Sequence, residues 1–431
     1  MSQLECTGLE LPNGLRLLLV PRSHSPTVAV RVYVRAGSRY DAEHPQPGGA
    51  GPALGLAHLT EHLLFKGTHH RTQRQLFAAI EGLGGTLEAG TAKEYLHVST
   101  VTPPEGLAAA LHTISLVLVE PALREDDFWN EKLVVLEEIR RALDREERIF
   151  DLFAETMWQA HPLRYPVLGT LPGLQALDHA SLLSFYSQRF VAGNAVLCMC
   201  GAFDPHEARQ RAQDCFAALP PGREQCPRPV EEPPQHGVRR AHLKRDLHQA
   251  TLLLGVPSVR MGHPDRTALK IIERVLGMGG SARLYQRLRE HDRLVYGVQT
   301  VAAQYEDAGF FAVRCACDPQ HLPQVEATIL EEWDRLCQDG IGEEELRAAQ
   351  DNYAGTLTRR FETNLAVGGI HGVEALLHQV EPFDEAVRRI RAVQCAEVLQ
   401  AARTYLDGRQ IVVVTIGPPA AQGPETAEAF R

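Results

Sequence analysis

A proline-rich stretch near the middle of the chain, residues 219–237, reads LPPGREQCPRPVEEPPQHG. Proline fixes φ and withholds a backbone donor, and large apolar residues are nearly absent here. The stretch therefore predicts an extended, semi-rigid connector and not part of a core. It divides 431 residues into two segments, each about the size of a substantial single domain. The expected organisation is an N-terminal domain at 1–219, a linker at 220–240 and a C-terminal domain at 241–431.

The two segments repeat one order of elements. The first opens on LELPNGLRLLLVPR, where Asn13-Gly14 marks a turn between two apolar runs, and continues with the β-rich TVAVRVYVRAGS and a helix carrying HLTEHLLF. The second sets the strand HQATLLLGVPSV before the helix DRTALKIIERVLGMG. An alternating segment follows in each (GTLEAGTAKEYLHVSTVT; VYGVQTVAAQYEDAGFFAVRCAC), then a helix after a proline-containing turn and a long charged helix. Each half closes on a strand ending at glycine, NAVLCMCG and QIVVVTIG. Strand runs mixed with helices, without strict βαβ alternation, predict an α+β class: two similar halves, each a mainly antiparallel sheet packed with helices. The tail after Gly417 has the composition of a segment without regular structure.

A net charge of −10 and a pI near 6.0 leave no basic excess to neutralise phosphates, so nucleic acid is not expected as a partner. No apolar run approaches a membrane span, and the N-terminus shows neither a secretory nor a mitochondrial leader pattern, so a cytoplasmic setting is expected. Cys198/Cys200 and Cys315/Cys317 are C-x-C pairs within apolar runs and read as small core residues with reduced thiols.

The chemistry concentrates in GLAHLTEHLLFKGT. His58, Glu61 and His62 stand at i, i+3 and i+4, on one face of a helix, beside an apolar stripe of Leu56, Leu59 and Leu63. Two imidazoles one turn apart can bind one zinc, and a carboxylate between them can reach a metal-bound water. A catalytic zinc needs a third protein ligand. In NEKLVVLEEIRRALD, Glu131, Val135, Glu138 and Ala142 share one stripe at helical spacing. VVLEEI embeds Glu137 and Glu138 among apolar residues, so one of them needs a cationic partner, which zinc would provide.

H-x-x-E-H is the inverted zinc signature, and EHLLFKGT followed by EKLVVLEEI resembles the pitrilysin and mitochondrial-processing-peptidase family. The two-half organisation resembles that family as well. The resemblance implies one Zn2+ per chain, held by His58, His62 and Glu138, with Glu61 as general base and Glu131 supporting a ligand histidine. Glu137 remains an alternative ligand, although helical phase with Glu131 favours Glu138. The resemblance also implies a substrate-contacting pair, Arg289 and Tyr296, in GMGGSARLYQRLREHDRLVYGVQT, suited to a developing oxyanion. The glycines there follow a helix and precede no Lys-Ser/Thr, which argues against a phosphate loop.

GGTLEAGTAKEYLHV resembles the family's edge strand, on which an extended peptide pairs near Ala89. Where such enzymes carry Asn before the alanine, this chain has Glu88, favouring a basic residue near the cleavage point. His69 and His70 read as exposed turn residues. The implied function is a zinc-dependent endopeptidase acting on unfolded peptides or short precursors through a zinc-activated water. The alternative is a non-catalytic or partner subunit of the same family. In size the chain resembles one half of the family's two-part clamshell, which implies a homodimer with Arg289 and Tyr296 acting in trans, or a heterodimer with a related subunit.

Overall fold

The computed structural model describes residues 6–49 and 51–418, so the tail expected to lack regular structure lies outside the described residues. The proline-rich stretch runs without helix or strand. The remainder divides into two compact units.

The first unit comprises Met1–Leu143, Tyr165–Arg228 and Arg359–Phe383. Its sheet contains β1 (Thr7–Glu10), β2 (Arg16–Pro21), β3 (Val28–Val34), β4 (Thr86–Thr91), β5 (Leu96–Thr102) and β6 (Ala195–Gly201), in the order β1-β2-β6-β3-β5-β4. β2 and β6 are parallel; the other neighbours are antiparallel. Alternation sorts the faces: Val28, Val30, Val32 and Val34 enter the main core, while Arg31 and Tyr33 on the same strand take the other face. The core side is covered by helices that include Leu56–Leu64, Leu107–Val119 and Glu125–Leu143. β4 is the edge strand on that side of the sheet, next to β5.

The second unit comprises Asp144–Arg164, Pro229–Thr358 and Asp384–Arg431. Its strands are β7 (Arg239–Lys244), β8 (Ala250–Ser258), β9 (Val295–Gln304), β10 (Gly309–Cys317) and β11 (Val412–Gly417), in the order β7-β11-β8-β10-β9. With β1 set aside, this is the order of the first sheet, including its one parallel pair, here β7 with β11. The duplication read from the sequence is thus present in the topology, and the α+β class holds. Cys198, Cys200, Cys315 and Cys317 are buried free thiols on strands, as expected of core residues. No described helix is long and apolar enough to cross a membrane.

Units and sequence halves differ by an exchange of helices. Arg148–Met157, which precedes the linker, lays Ile149, Phe153 and Met157 against Leu253, Phe310 and Val412 of the second sheet. Asn364–Leu377, which follows it, covers the outer face of the first sheet. There the Tyr33 hydroxyl donates to Gly369 O at 3.2 Å and Arg16 donates to Ala375 O at 2.7 Å. The helix lies so close that a Cβ on Gly372 would come within 2.3 Å of the Tyr33 ring.

Candidate metal centre

Leu56–Leu64 is helical because its apolar residues repeat at turn spacing. Leu56, Leu59 and Leu63 are fully buried, each contributing about 1.5–3 kcal/mol. Its N-cap, Gly55, sits at φ 95° and has no side chain to cap with. The carboxylate of Asp41, from the short 3-10 turn Ser38–Glu43, accepts instead from Gly55 N at 2.8 Å and Ala57 N at 2.9 Å. Burial pushes the Asp41 carboxyl up to about 7 despite those bonds. Glu125–Leu143 carries Glu125, Asp126 and Asp127 in its first turn and Arg140 and Arg141 in its last, complementing the helix dipole. Phe128, Glu131 and Val135 form part of its buried side.

These two helices bring together three donor side chains. One ligand atom each from His58, His62 and Glu138 lies within 4.8 Å of the others. Glu138 Oε2 is 3.5 Å from His62 Nε2 and 3.8 Å from His58 Nε2. Tetrahedral zinc with ligands at about 2.1 Å sets them roughly 3.4 Å apart. The two Glu138 spacings are close to that, so the donor set suits the ion and would leave a fourth position for water or substrate. Burial, then the neighbouring His62, lowers the His58 pKa to about 4, which keeps the imidazole neutral and able to ligate. Glu137 is exposed and paired with Arg140 on the solvent side. The choice between the two adjacent carboxylates therefore falls on Glu138 by helical phase.

Around the ligands, His62 Nδ1 and Glu131 Oε2 are hydrogen-bonded at 3.0 Å, and Lys66 Nζ meets the other oxygen of Glu131 at 2.5 Å. Glu61 is mostly buried; burial raises its pKa, while the Thr91 hydroxyl, donating to its Oε2 at 2.6 Å, pulls the other way. Sequence reading missed Thr91, Asp41 and Lys66. A signal for Thr91 existed, since it shares strand parity with the inward-facing Leu87 and Ala89. Ala89 is half-buried on the edge strand opposite Val98, and Glu88 faces away, exposed, accepting from Thr86. His69 and His70 are exposed, as expected. Arg289 and Tyr296 belong to the second unit. Arg289 lies in the π-helical turn Tyr285–His291, its guanidinium 4.9 Å from the Tyr285 ring and 5.4 Å from the Tyr296 ring. Tyr296, at the start of β9, is 83% exposed.

Residues 16–171 match the family Insulinase (Peptidase family M16), and residues 176–353 match the Peptidase M16 inactive domain. An uncharacterized zinc protease of Mycobacterium leprae is 32% identical over 388 residues, covering 86% of this chain and 85% of the relative. The chain belongs to peptidase family M16. With the His58/His62/Glu138 cluster it is a zinc metallopeptidase by class. A Bacillus subtilis relative, also an uncharacterized zinc protease, is 27% identical over 405 residues, 91% of this M16 chain and 93% of its own. In fold, a Helicobacter pylori protease superposes with a TM-score of 0.89 at 23% identity, over 96% of this chain and 100% of that one. A Pseudomonas fluorescens structure described as a peptidase M16 inactive domain gives 0.88 at 21%, over 98% and 100%.

Why only the first unit of this M16 chain has a metal cluster among its described residues is visible in the duplicate. After β8 the helix Arg266–Gly277 stands where the motif helix follows β3 in chain order, and it carries Lys270, Glu273 and Arg274 at the same i, i+3, i+4 spacing. Lys270 Nζ is 2.8 Å and Arg274 3.4 Å from Glu273 Oε2, and the Arg274 guanidinium lies 3.9 Å from the Tyr353 ring centroid. At this spacing the second unit thus carries two cations paired with one carboxylate and no histidine, so the helix offers no pair of imidazoles to a metal ion.

Proposed function

We propose that this chain is an endopeptidase that hydrolyses unfolded peptides or short precursors at the His58/His62/Glu138 centre, with Glu61 as general base. The reading rests chiefly on one observation: three donor atoms within 4.8 Å, with Glu61 on the helix face between the two histidines. Bound there, zinc would supply Lewis-acid polarisation of the scissile carbonyl and a water acidic enough to lose its proton near neutral pH. Glu61 takes that proton and delivers it to the leaving amine; its raised pKa suits a group that must both accept and release a proton. The Thr91 hydroxyl fixes which way its carboxylate turns. Glu131 holds the Nδ1 proton of His62, leaving Nε2 as the ligand atom.

The substrate backbone pairs as an extra strand along β4 beside Ala89, where a main-chain edge offers binding without sequence preference. Arg289 and Tyr296 bind the peptide near the scissile bond. Two copies of the chain associate, and the pair acts on the substrate held at the zinc of the other copy. The reading is tested by comparing the purified chain with Glu61→Gln for bound zinc and for cleavage of a mixed peptide library. Stoichiometric zinc in both with cleavage only in the parent supports it; zinc without cleavage in the parent refutes it. For trans action, Glu61→Gln and Arg289→Ala chains, each inactive alone, are mixed. No recovered activity in the mixed dimers refutes that part.

A further inference from the structure

The two histidines are not held alike. His62 has Glu131 on its Nδ1, whereas Nδ1 of His58 is buried without a hydrogen-bond partner among the described residues. The place of His58 therefore depends on the backbone of its helix. That backbone starts at a glycine in the left-handed region and is pinned from outside by Asp41, which accepts at Gly55 N and Ala57 N, the latter one residue before His58.

The turn that carries Asp41 has a second attachment. Arg39 pairs with Glu94 at 2.6 Å, with side chains 1% and 4% exposed. Ser38 N and Arg39 N donate to Ala92 O at 3.0 Å and Lys93 O at 2.8 Å. Ala92 directly follows Thr91, whose hydroxyl holds Glu61. Ser38–Glu43 is thus bonded on one side to the start of the helix bearing His58, Glu61 and His62. On the other side it is bonded to the turn after the strand bearing Thr91.

We infer that Asp41 is a positioning residue for the metal centre. Together with Arg39 it registers the motif helix against the end of β4, so that His58 meets the metal and Glu61 meets Thr91. The inference rests on the zinc reading above. Asp41→Asn keeps the volume and one acceptor but turns an amide NH2 toward a backbone N–H, leaving one buried donor unpaired. In the full chain, zinc affinity measured by chelator competition should fall about 10-fold, the lower end of the range for groups bonded directly to a ligand, because Asp41 acts on His58 only through the helix backbone. The zinc-dependent rise in melting temperature should shrink in parallel.

A variant whose zinc-free form melts earlier but whose folded protein binds zinc with parental affinity overturns the inference, since Asp41 would then be only a structural anchor. If Asp41→Asn does not fold, Arg39→Lys tests the other attachment. It should retain zinc and KM while kcat falls several-fold, and an unchanged kcat overturns the coupling. A parent that binds no zinc refutes the metal reading itself; a zinc-binding parent beside an unchanged Asp41→Asn refutes only this inference.

Discussion

Glu131 touches no metal-facing atom, yet replacing it by Gln should be felt in two separable ways. Its side chain is 10% exposed; one oxygen bonds His62 Nδ1 at 3.0 Å and the other meets the Lys66 ammonium at 2.5 Å. The first effect is on the metal. A neutral amide oxygen still accepts from His62 but no longer raises the basicity of the imidazole, and such changes typically weaken metal affinity 10–100-fold, about 1.4–2.7 kcal/mol. The second effect is on the fold. Breaking a fully buried pair costs about 3–5 kcal/mol. Lys66 is 24% exposed and can turn toward water, so about 1–2 kcal/mol is the expected loss. For a unit of roughly 200 residues that corresponds to a drop of about 2–8 °C in the melting temperature of the zinc-free protein. Adding Lys66→Met removes the stranded cation and should restore melting without restoring zinc affinity. Zinc competition and zinc-free thermal unfolding on the four variants complete the cycle. Parental zinc affinity in Glu131→Gln, with only the melting temperature changed, would falsify the role in holding His62.

The adjacent glutamates should separate cleanly. Glu138→Gln loses the anionic donor and should abolish stoichiometric zinc, while Glu137→Gln, which breaks only an exposed pair with Arg140, should leave zinc content unchanged and shift stability by less than about 1 kcal/mol. The pH dependence of stability offers a third check. Burial, then the charge of Arg31, holds His97 down at about 4. Its folded value lies below the unfolded one, so its contribution is complete above about pH 6.5 and is lost as pH falls toward 4. Asp41, raised to about 7, works in the opposite direction over an overlapping range. The difference between parent and His97→Gln in urea unfolding across pH 4–6.5 therefore isolates the histidine. An identical slope in both proteins refutes the assignment.

What the sequence revealed was whatever depends on neighbours along the chain. The H-x-x-E-H face needs only the 3.6-residue period, and the apolar alternation of VAVRVYV needs only the strand period. Asn13-Gly14 marks its own hairpin, with Gly14 at φ 91° between β1 and β2. β7 was not anticipated because RRAHLK is mostly polar and half exposed, paired only with β11 at the sheet's rim. Its strand identity comes from a partner more than 170 residues away.

The exchanged helices show the same limit. Nothing local in Asn364–Leu377 says that it must lie on Tyr33, although its Gly368, Gly369 and Gly372 leave space for a close approach. Glu138 and Glu137 differ in the sequence by one position. Helical phase with Glu131 already favours Glu138, and the packing of Phe128, Glu131 and Val135 on the buried side is what turns that phase toward the histidines.

The chain by itself determined the ligand types, their helical phase and the duplicated order of elements, because these follow from backbone geometry over a few residues. Tertiary structure decided the closing of the Glu138 contact, the Thr91 bond to Glu61 and the hold of Asp41 on Gly55 and Ala57. Each of these joins groups that only burial of two faces against one core brings within hydrogen-bond reach. The energy that holds them there comes from apolar residues such as Leu56, Leu59, Leu63 and Val135, which take no part in the chemistry.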